Sequence, residues 1–318
     1  MSTVSLVPGA PGRVAARAGQ TPVSSRRFRA ERRTAWGLLS PSLLFFVIFL
    51  ILPTLFAIFL SLSDWGGYDL SKIKFIGIGN YLEIFGPKSK FVTPVLVNTL
   101  VFAVIAVLLA VAGSLVVAQL IERMKAQGFW RFLYFLPVVA TIVAVGNVWT
   151  ILYQPAGLIN SLLNALHLNS IGFLTDPKVA LPSVAVVQAW SSIGTALLIL
   201  TAGIKAIDQS IYEAAEIDGA NSWKTFWSIT LPLLRPSLLF VFITQVIGGL
   251  QSFAIIVVMT KGGPAGATTV AAYSMYQQAF KFGLWGTASA MAITLFVIIF
   301  VVTLIQLAIS RHTGGDEE

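Results

Sequence analysis

The chain contains no cysteine among its 318 residues, which excludes a disulfide framework, a thiolate nucleophile and a zinc–thiolate site. Histidine is nearly as scarce. His167 and His312 stand far apart without ligand-type neighbours, which argues against a histidine-centred metal site or acid/base pair. No nucleophile–base constellation replaces them, so an intramembrane enzyme is not expected. There is also no G-x-x-x-x-G-K-[ST] run, so the chain cannot bind ATP through a P-loop of its own. Charge is sparse as well: 11% of residues are charged against 56% hydrophobic, with a mean hydropathy of +0.84. That balance is far too apolar for a soluble domain of this length and reads as a polytopic membrane protein.

What the chain does have is long apolar runs, near Trp36–Leu62, Thr93–Leu120, Arg131–Leu152, Leu181–Ile204, Pro236–Met259 and Leu284–Ile309. Each is long enough to cross about 30 Å of hydrocarbon as a helix of roughly 20 residues. Helices are expected because unpaired backbone groups cannot be left in lipid. The expected class is therefore all-α, with six transmembrane helices. The first run exceeds the apolar core of a signal peptide and contains Pro41 and Pro53, so cleavage there is not expected.

The formal charge of +8 comes mainly from Arg13, Arg17, Arg26, Arg27, Arg29, Arg32 and Arg33, opposed only by Glu31. Beside a membrane span such a cluster faces anionic lipid rather than nucleic acid, and no nucleic-acid recognition module accompanies it. Residues 1–35 are expected to form a disordered basic cytoplasmic tail, 36–310 the membrane domain, and 311–318 a cytoplasmic C-terminal tail. With the N-terminus inside, fourteen Lys and Arg lie on the inner side and seven on the outer. This bias places both termini in the cytoplasm.

Between the spans, FIGIGNYLEIF (Phe75–Phe85) suggests an outer cap with Asn80 capping a short helix. A second short helix is expected around Leu158–Leu166. TKGGPAGATT (260–269) must be irregular.

The most informative stretch is polar. Glu213–Pro232, EAAEIDGANSWKTFWSITLP, lies within a cytoplasmic loop at residues 205–235 between two apolar runs. Good helix formers run to Asp218, Gly219 breaks the helix, and Asn221 caps a second helix with Trp223, Phe226 and Trp227 on one face. Pro232 is expected to end that element and Pro236 to sit in the first turn of the next span. Glu213, Glu216 and Asp218 outnumber Lys224. This is the wrong sign for an anionic leaflet and points to a protein partner.

These residues match a known signature. Glu213, Ala214, Ala215, Gly219, Ile229, Leu231 and Pro232 fit EAA, three residues, G, nine residues, I-x-L-P. The chain therefore resembles the permease subunits of bacterial ABC importers, and Asp218, Ala220 and Phe226 agree with the sugar-importing branch. FIGIGNY, Leu136, Pro137 and Trp149 followed by PAGLIN (155–160), and TKGGPAGATT with Tyr276 and Phe280 are similar to the MalF/UgpA-type subunit of carbohydrate importers, over roughly residues 35–310 and in a six-span form. The resemblance implies the type I importer permease fold in a bacterial cytoplasmic membrane. It also implies a second homologous, MalG-like permease, two ATPase subunits that bind ATP and Mg, and an external solute-binding protein. Glu213, Ala214, Ala215, Asp218, Gly219, Ala220 and Pro232 would couple to the ATPase, and the chain itself would carry no cofactor or metal and catalyse nothing.

Polar residues inside spans should face the bundle interior or a path. Gln188, Ser192 and Thr195 recur at i, i+4, i+7, as do Gln245, Gly249 and Ser252. Each set lies on one helix face, read either as a substrate path or as helix packing. The fourth and fifth runs hold no deep Lys, Arg, Asp or Glu, which suits a neutral sugar or polyol better than a strongly anionic solute. Trp149 and Trp190 could stack on sugar faces. Glycerol-3-phosphate or a polyol is the alternative cargo. A secondary carrier would show charged residues in spans or repeated broken helices, and the sequence suggests neither.

Overall fold

The computed structural model describes residues 25–314 except Arg123, with side chains from 34 to 310. The expected disorder before residue 25, the arginine contacts of the N-terminal tail and the tail at 311–318 fall outside the described side chains. Within the described part the expected tail is corrected, because the helix already begins at Ser25. Arg, Ala and Glu in SRRFRAERRTAW are good helix formers.

By packing, the chain divides into Met1–Leu55 and Phe56–Glu318. In the first unit the helix runs through Pro41, which has no N–H to offer the Gly37 carbonyl. The Ser40 hydroxyl supplies that hydrogen bond instead, at 2.9 Å. A π turn, Val47–Ile51, precedes Pro53, and the Thr54 hydroxyl donates to the Leu50 carbonyl at 2.7 Å. Every described side chain of this unit is exposed.

In the second unit, among the described residues, Phe91–Glu122 (span two), Ala180–Lys205 (span four) and Trp285–Ser310 (span six) are long apolar helices. The helix Thr34–Ser61 supplies span one. The other two spans are not continuous. Span three is Gln127–Val139 followed by Ile142–Leu152 at 96°. Pro137 lies within the last turn of its first half, and Thr141 restarts the helix by accepting from the Ala144 amide at 3.3 Å. Span five, Arg235–Leu250, has 16 residues, about 24 Å at 1.5 Å per residue and short of the hydrocarbon thickness. A break at residues 251–253 follows, and then the short helix Ala254–Met259. The expectation of unbroken helices is therefore corrected at spans three and five.

Span four is the central element. Val184, Ala185 and Val187 pack with Phe102 and Ala106 of span two, Val145 of span three, and Ile255 and Ile256. Nearer its C-terminal end, Ala196, Leu197 and Leu200 pack with Ala118, Ile121 and Val241. Between spans one and two Ser63–Asp64 pairs antiparallel with Lys74–Phe75, and the helix Gly79–Phe85 packs Ile84 against Ala290 and Met291 of span six. Asn80 does not cap that helix. It lies inside it, buried, and donates to the Ser61 and Ser63 carbonyls at 2.9 Å while accepting from the Thr287 hydroxyl at 3.3 Å. A side chain committed to three tertiary partners cannot also serve the local backbone. The helix near Leu158 forms, as Leu158–Ala165.

Candidate functional site

The polar stretch Glu213–Pro232 folds as two short helices forming a knob. The first is Gln209–Ile217. Its N-cap is Asp208, which accepts from the Ser210 amide at 2.9 Å. That backbone bond, with the Ser210 side chain, holds the Asp208 carboxyl below its usual value. The helix stops because Gly219 has φ +71°, which lets the Ala220 amide reach the Ala215 carbonyl at 2.9 Å and close the C-terminal turn. The second helix, Ser222–Leu233, is capped by Asn221, whose Oδ1 accepts from the Lys224 amide at 2.9 Å. Pro232 does not end this element. It sits at a first-turn position of the last helical stretch, Leu231–Leu233, where a missing N–H is tolerated. The bend to span five follows at Leu234, and Pro236 occupies the first turn of that span.

Glu213, Ala214, Asp218 and Gly219 are exposed, Ala220 is half-buried, and Ala215 is buried against the rest of the fold. Ile217 is 86% exposed and Trp223 73%, so the acidic knob also exposes large apolar side chains. Trp223 and Trp227 meet edge-on at 5.6 Å and Phe226 and Trp227 at 5.3 Å, which keeps the three aromatics together. Beneath the knob lies a polar cleft of about 610 Å³ lined by Gln119, Glu122, Tyr212, Glu216, Asn221 and Thr225. The Tyr212 and Thr230 hydroxyls lie 3.2 Å apart and brace the two helices. Arg131 pairs with Glu122 at 2.6 Å, fastening the start of span three to the end of span two.

The membrane-embedded polar residues divide into two groups. Gln245 donates to the Ser192 carbonyl at 3.5 Å, and the Ser192 hydroxyl bonds the Gln188 carbonyl at 2.9 Å. Gln188 is half-buried and Thr195 exposed. Gly249 is buried, and a Cβ there would lie 3.1 Å from Ala103 Cα, so its smallness admits span two. The Ser252 hydroxyl is buried without a partner. The polar row on the open side of span five is Thr244, Gly248 and Gln251, all exposed. Sequence reading missed this row because it repeats the spacing of Gln245, Gly249 and Ser252, one residue earlier. Trp149 and Trp190 meet edge-on at 5.5 Å on the wall of an apolar groove of about 550 Å³ at the span-three elbow, with Tyr134, Pro137 and Ala140.

Residues 38–315 match the family model described as binding-protein-dependent transport system inner membrane component. The chain belongs to that family. As an inner membrane component, it is 33% identical over 272 residues to an osmoprotective compounds uptake permease protein of Synechocystis sp., covering 83% of this chain and 94% of that one. It is 31% identical over 283 residues to a trehalose/maltose transport system permease protein of Thermococcus litoralis, covering 88% and 95%. Its fold is similar to a chain of a bacterial ABC transporter involved in the import of the acidic polysaccharide alginate, with a TM-score of 0.76 and 23% identity over 91% of this chain and 99% of that chain. The type I permease fold is thus present in this transport component. Family membership, rather than unbroken helices, is what sets aside a secondary carrier.

Proposed function

We propose that this inner membrane component is the permease subunit of an ATP-driven importer for a neutral sugar. The observation that carries this reading is the exposed knob, whose EAA…G turn is built on Gly219 and projects acidic and aromatic side chains from the base of spans four and five. Glu213, Ala214, Ala215, Asp218, Gly219, Ala220 and Pro232 form the docking element for a separate ATPase subunit, which binds ATP and Mg. A second homologous permease, a second ATPase and an external solute-binding protein complete the assembly, with both termini of this chain in the cytoplasm.

The substrate path runs beside spans four and five, past Gln188, Ser192 and Thr195 and past Gln245, with Thr244, Gly248 and Gln251 added to it. An exposed polar row at membrane depth is costly against lipid and is satisfied by a path or a second subunit. Gly249 and Ser252 support this wall from behind. The path has no fixed charge, which favours a neutral cargo. Relatives named for trehalose/maltose and for lactose transport support a sugar.

ATP binding closes the ATPase pair, moves the knob and opens the path outward, and hydrolysis resets it. The test is uptake and substrate-stimulated ATPase in reconstituted complexes carrying Glu213→Ala or Gly219→Pro. Both activities are expected to fall together, and wild-type values for both would sink the coupling role. A binding screen of the partner solute-binding protein against neutral disaccharides, polyols and glycerol phosphate tests the cargo.

A further inference from the structure

We infer that Gly203 is a positioning residue, the closed joint through which the knob moves spans four and five as one body. The inference rests on the reading of the knob as the ATPase dock. The knob is braced in itself, because the Tyr212–Thr230 hydroxyl contact ties its two helices and the Ala220–Ala215 backbone bond closes the turn between them. Its second helix turns by 70° into span five. Leu234 occupies that turn, with no exposed surface. Hydrogen bonds of 2.9 Å hold the turn on both sides, from the Leu234 amide to Thr230 and from the Leu238 amide to Leu234.

The inside of the bend is filled by the last turn of span four. A Cβ on Gly203 would overlap the Ser237 hydroxyl and lie 2.9 Å from both Ser237 Cβ and Leu234 Cδ2. The backbone of span four therefore meets side chains of span five with no space between them. Gly203 lies within the helix Ala180–Lys205, where glycine is less favourable than alanine by about 1 kcal/mol. Close approach, rather than backbone conformation, accounts for it. Above the joint, Leu197 and Leu200 pack with Val241, and Gln245 reaches the Ser192 carbonyl. The two spans are thus packed from the joint to the polar row. A push on the knob cannot be absorbed by opening the angle between them, so it reaches both walls of the path together.

The test is a double-substitution cycle in the reconstituted complex, reading substrate molecules imported per ATP hydrolysed. Gly203→Ala forces the joint apart and should lower this ratio about fivefold or more, the lower end of typical coupling effects, while hydrolysis continues. Ser237→Gly leaves a gap and should lower it about twofold, a smaller loss because packing rather than a clash is changed. The double variant, in which the new methyl takes the vacated space, should recover most of the wild-type ratio. Should Gly203→Ala fail to reach the membrane, Ser237→Gly and the double variant still decide. An unchanged ratio in the single variants, or losses that add in the double, overturns the joint. If Glu213→Ala and Gly219→Pro are also without effect, the docking reading fails as well. If they abolish coupling while the cycle at 203 and 237 is flat, only the joint is wrong.

Discussion

The knob and the loop around Lys261–Thr269 are both glycine-containing turns joining apolar helices, yet they are built on opposite principles. At Gly219 the backbone needs φ +71°, and nothing lies within 4 Å of where a Cβ would stand. At Gly262 the backbone has φ +81°, and a Cβ would lie 2.7 Å from Tyr273 Cε1 and 2.8 Å from Thr269 Oγ1. The loop at residues 261–269 fills its own interior. The Thr268 hydroxyl donates to the Gly263 carbonyl and meets the Thr260 hydroxyl, both at 2.7 Å, and Asn98 of span two ties the loop down by donating to the Thr269 carbonyl at 3.2 Å. The knob satisfies its backbone and leaves Glu213, Ile217, Asp218 and Trp223 outward. A turn that consumes its own polar groups is a structural closure, whereas one that uses side chains only for its caps and a single brace leaves the rest of its surface free.

This contrast can be broken in graded steps. The largest effect is expected from Gly262→Val, which adds a strained backbone to a steric clash. It should destabilise the protein by about 3 kcal/mol or more and be visible as loss of folded protein in detergent by thermal melting. Thr268→Val keeps the shape but removes a buried hydroxyl with two partners, for a loss of about 1–3 kcal/mol on the same measurement. Gly219→Ala has room but the wrong φ and should cost only about 1 kcal/mol. Its folded yield should stay near wild type, and a large drop in melting temperature would erase the distinction between the two turns. The smallest effect concerns pH. Asp208 has its carboxyl held below the usual value by Ser210, so its cap is present above that usual value and is lost as pH falls through the depressed one. Amide exchange at Ser210 should quicken only on strong acidification, and should be fast throughout in Asp208→Ala. No such change should occur in the loop at residues 261–269, where no carboxylate takes part in the bonds described.

Much of the fold was legible because its causes are local. Run length announces a span, and the Gly219–Asn221 stop and start follow from one left-handed residue and one capping side chain. The misses arose where a distant element intervened. Asn80 looks like a cap until Ser61, Ser63 and Thr287 claim its amide. Arg131–Leu152 reads as one apolar run, and its 96° elbow depends on how the two halves pack. Along span five, polar spacing could not say which of two adjacent rows stays open, since that depends on where span two lies.

The sequence by itself determined that the chain is a membrane protein with a polar loop of a recognisable signature, because hydropathy, charge sign and turn chemistry act over a few residues. Only the tertiary structure decided that Thr244, Gly248 and Gln251 face outward while Gly249 meets Ala103, and that Gly203 closes against Leu234 and Ser237. Which face of a helix is covered is fixed by its neighbours, and no periodicity along one chain segment contains their positions.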